Sequence, residues 1–571
     1  MTRSSTIAAL VCAVAALLAS FATASQDRPT KLAELQGLVQ SGRLEEAIEK
    51  GRAFVAADDG FAGAWHLLGY ALHASGRLEE ALAAHERAAG FAATASHGAY
   101  NAACACALLG RVDDAFAWLA KAKAAGFQDG PLARGDADLA SLRADPRFDA
   151  LFPPIDHADP FVEPGVVVLH ESFGNAANDQ YGWVARAIGD ADGDGAIDFA
   201  ASAPFANGGA GLVRAYSGRS GALLFVAKGR GGDHLGWCVG AAGDVDGDGR
   251  VDLFAGAPRA PQDGSAPGAL VILSGADGRE LRRIPGEAPG DRFGTSACAV
   301  GDQDGDGRTD LFVSAPQHDV EGRTDVGRVT LLSGATFEPL HTFDGAFAGA
   351  KLGDGEVAGF ASGDRRVLVA STFGGGDVSR ARVVWWDGRS GALLRESTGG
   401  PGTVNLGWFV STASDVDGDG VPDVLATDWH DTASGPGAGR VWIWSGADGA
   451  LLRSLGGRVA GEHFGIGACD AGDLDGDGKD DLAIGAWQHS SGAQAGGRVY
   501  LVSGANGREL GRVTCKLPGD CFGFDATSVG VDRDGVPDLL VTAAYDAKAG
   551  EKAGRTFVLS GASCLAPAAP R

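Results

Sequence analysis

Two patterns of apolar and polar residues divide the chain. In the first part, glycine-centred turns return at a fixed interval: GRLEEAI begins at Gly42, GRLEEAL at Gly76 and GRVDDAF at Gly110, a spacing of 34 residues taken twice. An apolar helix leads into each turn and an Ala-rich helix follows it, which predicts stacked helical hairpins over residues 31–152. Ala47, Ala81 and Ala115 each fall five residues after a turn glycine, where a small side chain lets paired helices approach. Four prolines then interrupt the chain at Pro153, Pro154, Pro160 and Pro164, predicting a linker over 153–165.

From Val166 onward the apolar runs shorten to strand length. VWIW in GRVWIWSG and VYLV in GRVYLVSG are apolar at consecutive positions, so both faces of their sheets must be covered. An acidic loop recurs with them, and its closing aspartates are Asp198, Asp252, Asp310, Asp423, Asp481 and Asp538, with gaps of 54, 58, 113, 58 and 57. The long gap holds two periods, because RVLVAS after Arg366 matches DLFVSA after Asp310, and the total is therefore seven units. Each unit supplies four short strands. Seven such sheets set radially leave only short, protected edges, which predicts an all-β seven-bladed propeller over 166–565. The last unit stops after GRTFVLSG at Gly561 without a fourth strand, while residues 166–173 form a strand without a blade. That segment is expected to complete blade seven.

Composition narrows the class. Gly accounts for 90 of 571 residues without a three-residue period, which excludes collagen and fits a turn-rich β protein. The formal charge of −25, from 48 Lys and Arg against 73 Asp and Glu, argues against nucleic acid as a partner and favours cations. At the N-terminus, Arg3, an apolar run from Ile7 to Ala22 and the small residues Ala22-Thr23-Ala24 predict a signal peptide over 1–24. The protein is thus expected to be exported: secreted, periplasmic or at the cell surface. No later apolar run reaches the length of a membrane span, so the mature chain is not expected to cross one. Of the cysteines, Cys298 and Cys469 occupy the same place in two repeats and read as small buried residues, whereas Cys515 and Cys521 in CKLPGDC are spaced to close a loop or to remain reduced.

Two families are resembled. The segment AWHLLGYALHASGRLEEALAAHERA, Ala64 to Ala88, is similar to a tetratricopeptide repeat, which implies a concave surface able to hold a peptide. FGTSACAVGDQDGDGRTDLFVSAP, Phe293 to Pro316, resembles an FG-GAP repeat of the integrin α-subunit propeller. That resemblance covers the β part of the chain and implies a calcium-binding protein of cell adhesion and protein binding.

The acidic loops carry the chemistry. Five have Asp at positions 1, 3, 5 and 9 and Gly at 6, a set of hard oxygen donors on a sharp turn that suits Ca²⁺. The candidate ligands are Asp190, Asp192, Asp194, the Ala196 carbonyl and Asp198; Asp244, Asp246, Asp248, the Arg250 carbonyl and Asp252; Asp302, Asp304, Asp306, the Arg308 carbonyl and Asp310. They continue with Asp415, Asp417, Asp419, the Val421 carbonyl and Asp423, and with Asp473, Asp475, Asp477, the Lys479 carbonyl and Asp481. An EF-hand would need Glu at position 12, where these loops have Ala201, Ala255, Val313, Ala426 and Ile484 in strand-like runs. The fourth unit keeps only Asp364, and the seventh has Gly530 in place of the first Asp, so about five structural calcium ions are expected.

Loops after the GAP-like strands emerge at the other end of each blade. There Arg259, His318, Trp429, His430, Trp487, His489 and Tyr545 form the candidate ligand face, for a protein or a glycan. No HExxH, GxSxG, P-loop or CxxC motif is present, and no separate catalytic domain fits. The leading expectation is an exported, non-catalytic scaffold; the alternative is a carbohydrate-active hydrolase or lyase using His and Asp from those loops.

Overall fold

A computed structural model describes residues 28–127, 130–153, 156–259, 266–374, 377–413, 415–532 and 534–566. Residues 1–24, expected to form a signal peptide, lie outside the described residues. The chain forms two compact units that divide between Asp156 and His157.

The first unit is a stack of helical hairpins. Its repeats are α1 (Arg28–Gln40) with α2 (Leu44–Ala57), α3 (Ala62–Ala74) with α4 (Leu78–Ala89), and α5 (Ala95–Leu108) with α6 (Val112–Ala124). Gly42, Gly76 and Gly110 all take φ between 72° and 79°, a left-handed turn that a side chain disfavours. Acidic pairs follow immediately in the first turns of α2, α4 and α6, where the helix dipole favours negative charge. Arg77 and Arg111 each reach back to an acid of the preceding repeat, Glu45 and Glu79, at 3.0 and 2.7 Å. Ala47, Ala81 and Ala115 are buried where the helices meet.

The second unit is a seven-bladed β-propeller, seven four-stranded antiparallel sheets. In five blades the second strand, such as Asp198–Ala203, Asp252–Ala257 or Asp481–Ala486, is buried at all six positions, whereas outer strands such as Glu280–Pro285 alternate. That gradient follows from packing each sheet between two others. Leu253 and Val271 of blade 2 meet Val213 of blade 1, and Leu270 on the other face of blade 2 meets Leu311 and Val313 of blade 3. Each first strand is entered through the glycine of an FG, LG or YG pair. Gly182, Gly236, Gly294, Gly353, Gly407, Gly465 and Gly523 have φ between 79° and 101°, and a Cβ at six of them would come within 3.1 Å of the neighbouring strand.

The ring closes on its own ends. Val168–Phe173 pairs antiparallel with Arg555–Leu559, so blade 7 joins the first strand of the propeller to its last. The segment expected to be a linker is more ordered than its prolines imply. From His157 it belongs to the propeller: Phe161 packs 5.2 Å from Phe522 and 5.3 Å from Phe557, and Glu163 accepts hydrogen bonds from the Thr514 amide and hydroxyl. Burying the Phe161 ring fixes the chain that proline alone would leave extended.

Candidate calcium loops and the opposite face

Each acidic loop joins the first and second strands of its blade and is shaped by its own carboxylates. In blade 1 the first aspartate, Asp190, accepts hydrogen bonds from the amides of Gly193 at 2.7 Å, Asp194 at 3.0 Å and Gly195 at 2.9 Å. Asp192 accepts from Asp194, and Asp194 from Ala196, so alternate side chains turn inward. Gly193 and Gly195 supply the positive φ, 82° and 81°, that this winding needs. Asp244, Asp302, Asp415 and Asp473 repeat the first set, each holding the two glycine amides of its loop. Carboxylate oxygens of Asp190, Asp192 and Asp194 lie within 4.8 Å of one another, as do those of Asp244, Asp246 and Asp248, of Asp302, Asp304 and Asp306, and of Asp415, Asp417 and Asp423. Such all-carboxylate sets match the donor chemistry of a hard divalent cation.

The closing aspartate has a second job. Asp198 is fully buried; one oxygen accepts from the amides of Ala191 and Asp192 at 2.8 and 3.0 Å, the other from Gly218 at 2.8 Å. Asp252, Asp310, Asp423, Asp481 and Asp538 are buried alike and bind the amide of the equivalent glycine: Gly275, Gly334, Gly446, Gly504 and Gly561. This carboxylate therefore ties the loop to the turn after the third strand, and sequence reasoning saw only its donor character. Burial pushes these carboxyls up, to about 6 for Asp423 and Asp481. Blade 7 keeps the tie although Gly530 replaces its first aspartate. In blade 4 the loop shrinks to a two-residue turn, Gly363-Asp364, between paired Ser362 and Arg365.

Position 7 also does more than offer a carbonyl. Arg250 donates to the Ala191 carbonyl at 2.9 Å, Arg308 to that of Asp244 at 3.4 Å, and Lys479 to that of Asp417 at 2.6 Å. Each side chain thus clips its loop to the loop of the preceding blade.

Segments before the first strand and after the second lie at the other end of every blade, and there the sequence-predicted face divides. His318 and His489 do not belong to an open surface. Both are buried, His318 Nδ1 lies 2.7 Å from Asp291, and His489 Nδ1 lies 2.8 Å from Glu462, the same spacing in two repeats. They hold the FG loop in place by a buried ion pair or hydrogen bond. Trp429, His430, Trp487 and Tyr545 do come together, Trp429 lying 3.6 Å from His430 and 5.8 Å from Trp487, and Tyr545 6.0 Å from Trp487. Arg259 stands over Trp237 at 5.0 Å.

Rings that the sequence reading missed join them into one arc. Trp429 continues to Trp408 at 5.7 Å on one side; on the other, Trp487 leads to Phe524 at 5.7 Å, Phe524 to Trp183 at 5.2 Å and Trp183 to Trp237 at 5.3 Å. The signal was available: Trp183, Trp237, Trp408 and Phe524 all occupy the position directly after the glycine of the FG, LG or YG pair. At the centre of the ring, Arg186 of blade 1 bonds Asp525 beside blade 7 and, at 2.9 Å, Glu356 beside blade 4. Burial lifts the Glu356 carboxyl to about 7 despite Arg186, and it lifts the Cys238 and Cys298 thiols to about 12. No disulfide forms among the described cysteines; Cys515 and Cys521 are buried and free, with Cys515 Sγ taking the Leu517 amide instead.

Comparison with known proteins places these units. The FG-GAP repeat profile matches residues 239–273, 293–332 and 470–502, and an FG-GAP-like repeat profile matches 415–484. Blades 2, 3, 5 and 6 carry FG-GAP repeats. Human integrin alpha-E is 31% identical to this chain over 252 residues, 38% of this chain and 21% of that protein. Chicken integrin alpha-V is 31% identical over 149 residues, 25% of this chain and 14% of that one. The chain thus spans 21% of the length of the first of these relatives and 14% of the second. BBS1N, solved in complex with ARL6DN, aligns with 72% of this chain and 99% of its own at 11% identity and a TM-score of 0.44. Among the described residues no helix is long and apolar enough to cross a membrane.

Proposed function

We propose that this protein is an exported, calcium-loaded interaction scaffold that works outside the cytoplasm and carries no catalytic centre. Five FG-GAP loops bind Ca²⁺ through the carboxylates at positions 1, 3 and 5, the carbonyl at position 7 and the closing aspartate. The observation that carries this reading is the inward convergence of carboxylates within 4.8 Å in blades 1, 2, 3 and 5, built by the same amide contacts each time. Like charges that close repel one another, and a divalent cation turns that repulsion into a crosslink, so folding and calcium binding are coupled.

The helical hairpins act as tetratricopeptide repeats that offer a peptide-binding surface, and the face opposite the calcium loops receives a protein or glycan ligand. The similarity to integrin α-subunits supports an adhesive role, as does the array of partly exposed rings on that face. Calorimetric titration of the chelator-treated protein tests the metal reading. It should return about five calcium ions per chain, and Asp190→Ala, Asp244→Ala and Asp302→Ala should each remove one. A stoichiometry unaffected by these substitutions would refute it.

A further inference from the structure

The ligand face is chemically lopsided. From Trp408 through Trp429, Trp487, Phe524 and Trp183 to Trp237 it is a run of rings in mutual contact, several at edge-to-face angles such as 83° between Trp429 and Trp487. Each ring plane is fixed by its neighbours, so a ligand lying on it costs little side-chain entropy. At this end of the propeller the exposed aliphatic side chains are Val378, after the second strand of blade 4, and Val459, before the first strand of blade 6, while Leu223, Leu393, Leu394 and Leu451 sit on fourth strands. The arc presents the partly exposed faces of Trp183, Trp237, Trp408, Trp429 and Trp487 around the buried Phe524.

At Trp237 the arc ends in positive charge. The guanidinium groups of Arg259 and Arg292 lie 5.0 and 5.7 Å from that ring, and neither makes an ion pair among the described residues. His234, almost fully buried against Trp237 and Phe205, has no partner for either ring nitrogen, and Arg292 Nε has none. Asp354 is the acid that faces Arg292, and two guanidinium groups against this one carboxylate leave a local cationic terminus on an anionic molecule. A polyanion is repelled by the whole; a single carboxylate is held by the pair in the two-pronged manner of guanidinium groups.

We propose that this face binds an oligosaccharide bearing one carboxylate, its sugar rings laid along the Trp408–Trp237 arc and its acidic end held by Arg259 and Arg292. The proposal rests on the reading of this face as the ligand surface and names its ligand class. Pyranose rings present C–H faces to the indoles and hydroxyls to the polar groups between them, of which His430 and its 3.1 Å partner Asn405 are the nearest to Trp429 in the arc's sequence. Nucleobases stack on rings too, but their phosphate chain meets a net charge of −25.

The test is titration of the full chain in calcium buffer with an oligosaccharide carrying one terminal glucuronate and with its carboxyl-reduced counterpart, read by tryptophan fluorescence and calorimetry. The acidic sugar should bind more tightly, and Arg259→Ala with Arg292→Ala should weaken it by about tenfold or more, down to the affinity of the reduced form. Trp429→Ala should weaken both sugars, while melting temperature and calcium stoichiometry certify that each variant is folded. Equal binding of the two sugars, or binding indifferent to the arginines, overturns the carboxylate assignment. If neither sugar binds, the saccharide class falls, and a protein ligand whose binding is lost in Trp429→Ala would then preserve the face; if that substitution alters no binding at all, the ligand-face reading falls with it.

Discussion

The two ends of the propeller are built by opposite means. At the acidic-loop end each loop is made from nine consecutive residues whose carboxylates fold their own backbone, so blades 1, 2, 3, 5 and 6 repeat one design and Asp190 does what Asp473 does. At the other end no loop contains a site. Trp429, Trp487 and Trp183 belong to different blades and gain meaning only when the ring closes and brings them within 6 Å of the next ring. Local chemistry tolerates loss of one copy, as blades 4 and 7 show, whereas an assembled surface depends on every contributor in its place.

Chelation should strike the first end hardest. Each filled loop adds about 2.7 kcal/mol at a free calcium one hundred times its dissociation constant, so removing calcium should lower the propeller's melting temperature by many degrees, an effect visible by calorimetry and absent if the loops merely decorate the fold. Next in size is the closing aspartate. Asp538→Ala and Asp198→Ala should each cost about 3 kcal/mol, because each strips a buried charged acceptor from three amides. Denaturant unfolding decides it, and a silent Asp538→Ala, in a loop outside the five proposed calcium sites, would mean that the tie adds no stability.

The centre of the ring predicts a pH dependence. Burial raises Glu356 from 4.5 to about 7, so the folded chain holds this proton more tightly than the unfolded one. Below pH 4.5 the carboxyl is protonated in both states and costs nothing; as pH rises through 7 stability falls, by at most about 3 kcal/mol. Glu356→Gln should flatten that slope in melts at pH 5.5 and 8 under saturating calcium. A smaller loss, about 1 kcal/mol from broken ring contacts, is expected for Trp429→Ala, with calcium affinity unchanged; a linked fall in calcium affinity would show that the two ends are coupled. Least of all should Asp364→Ala matter, within about 0.5 kcal/mol, since it sits in an exposed tight turn.

Local pattern made much of this legible. The 34-residue spacing of Gly42, Gly76 and Gly110 marks helical hairpins because each glycine must adopt a left-handed turn, and the recurrence of Asp at positions 1, 3 and 5 marks the loops because those side chains bond amides within five residues. Sequence spacing is enough when the partners are neighbours. It gave His318 and His489 the same look as His430, all three being polar residues in loops after a second strand. Only packing distinguishes them: Asp291 and Glu462, 27 residues earlier, draw the first two inward, while His430 stacks on Trp429 at the surface.

What the chain dictates by itself is therefore whatever is written within one repeat: turn glycines, amide-bound aspartates and strands buried on both faces. Closure of Val168–Phe173 onto Arg555–Leu559, the Arg186 bridge from blade 1 to Glu356, and the aromatic arc with its arginine terminus were decided by tertiary structure. Their partners lie tens to hundreds of residues apart, and their meeting is set by the angle at which seven sheets pack around one axis, a property of the ring that no single repeat contains.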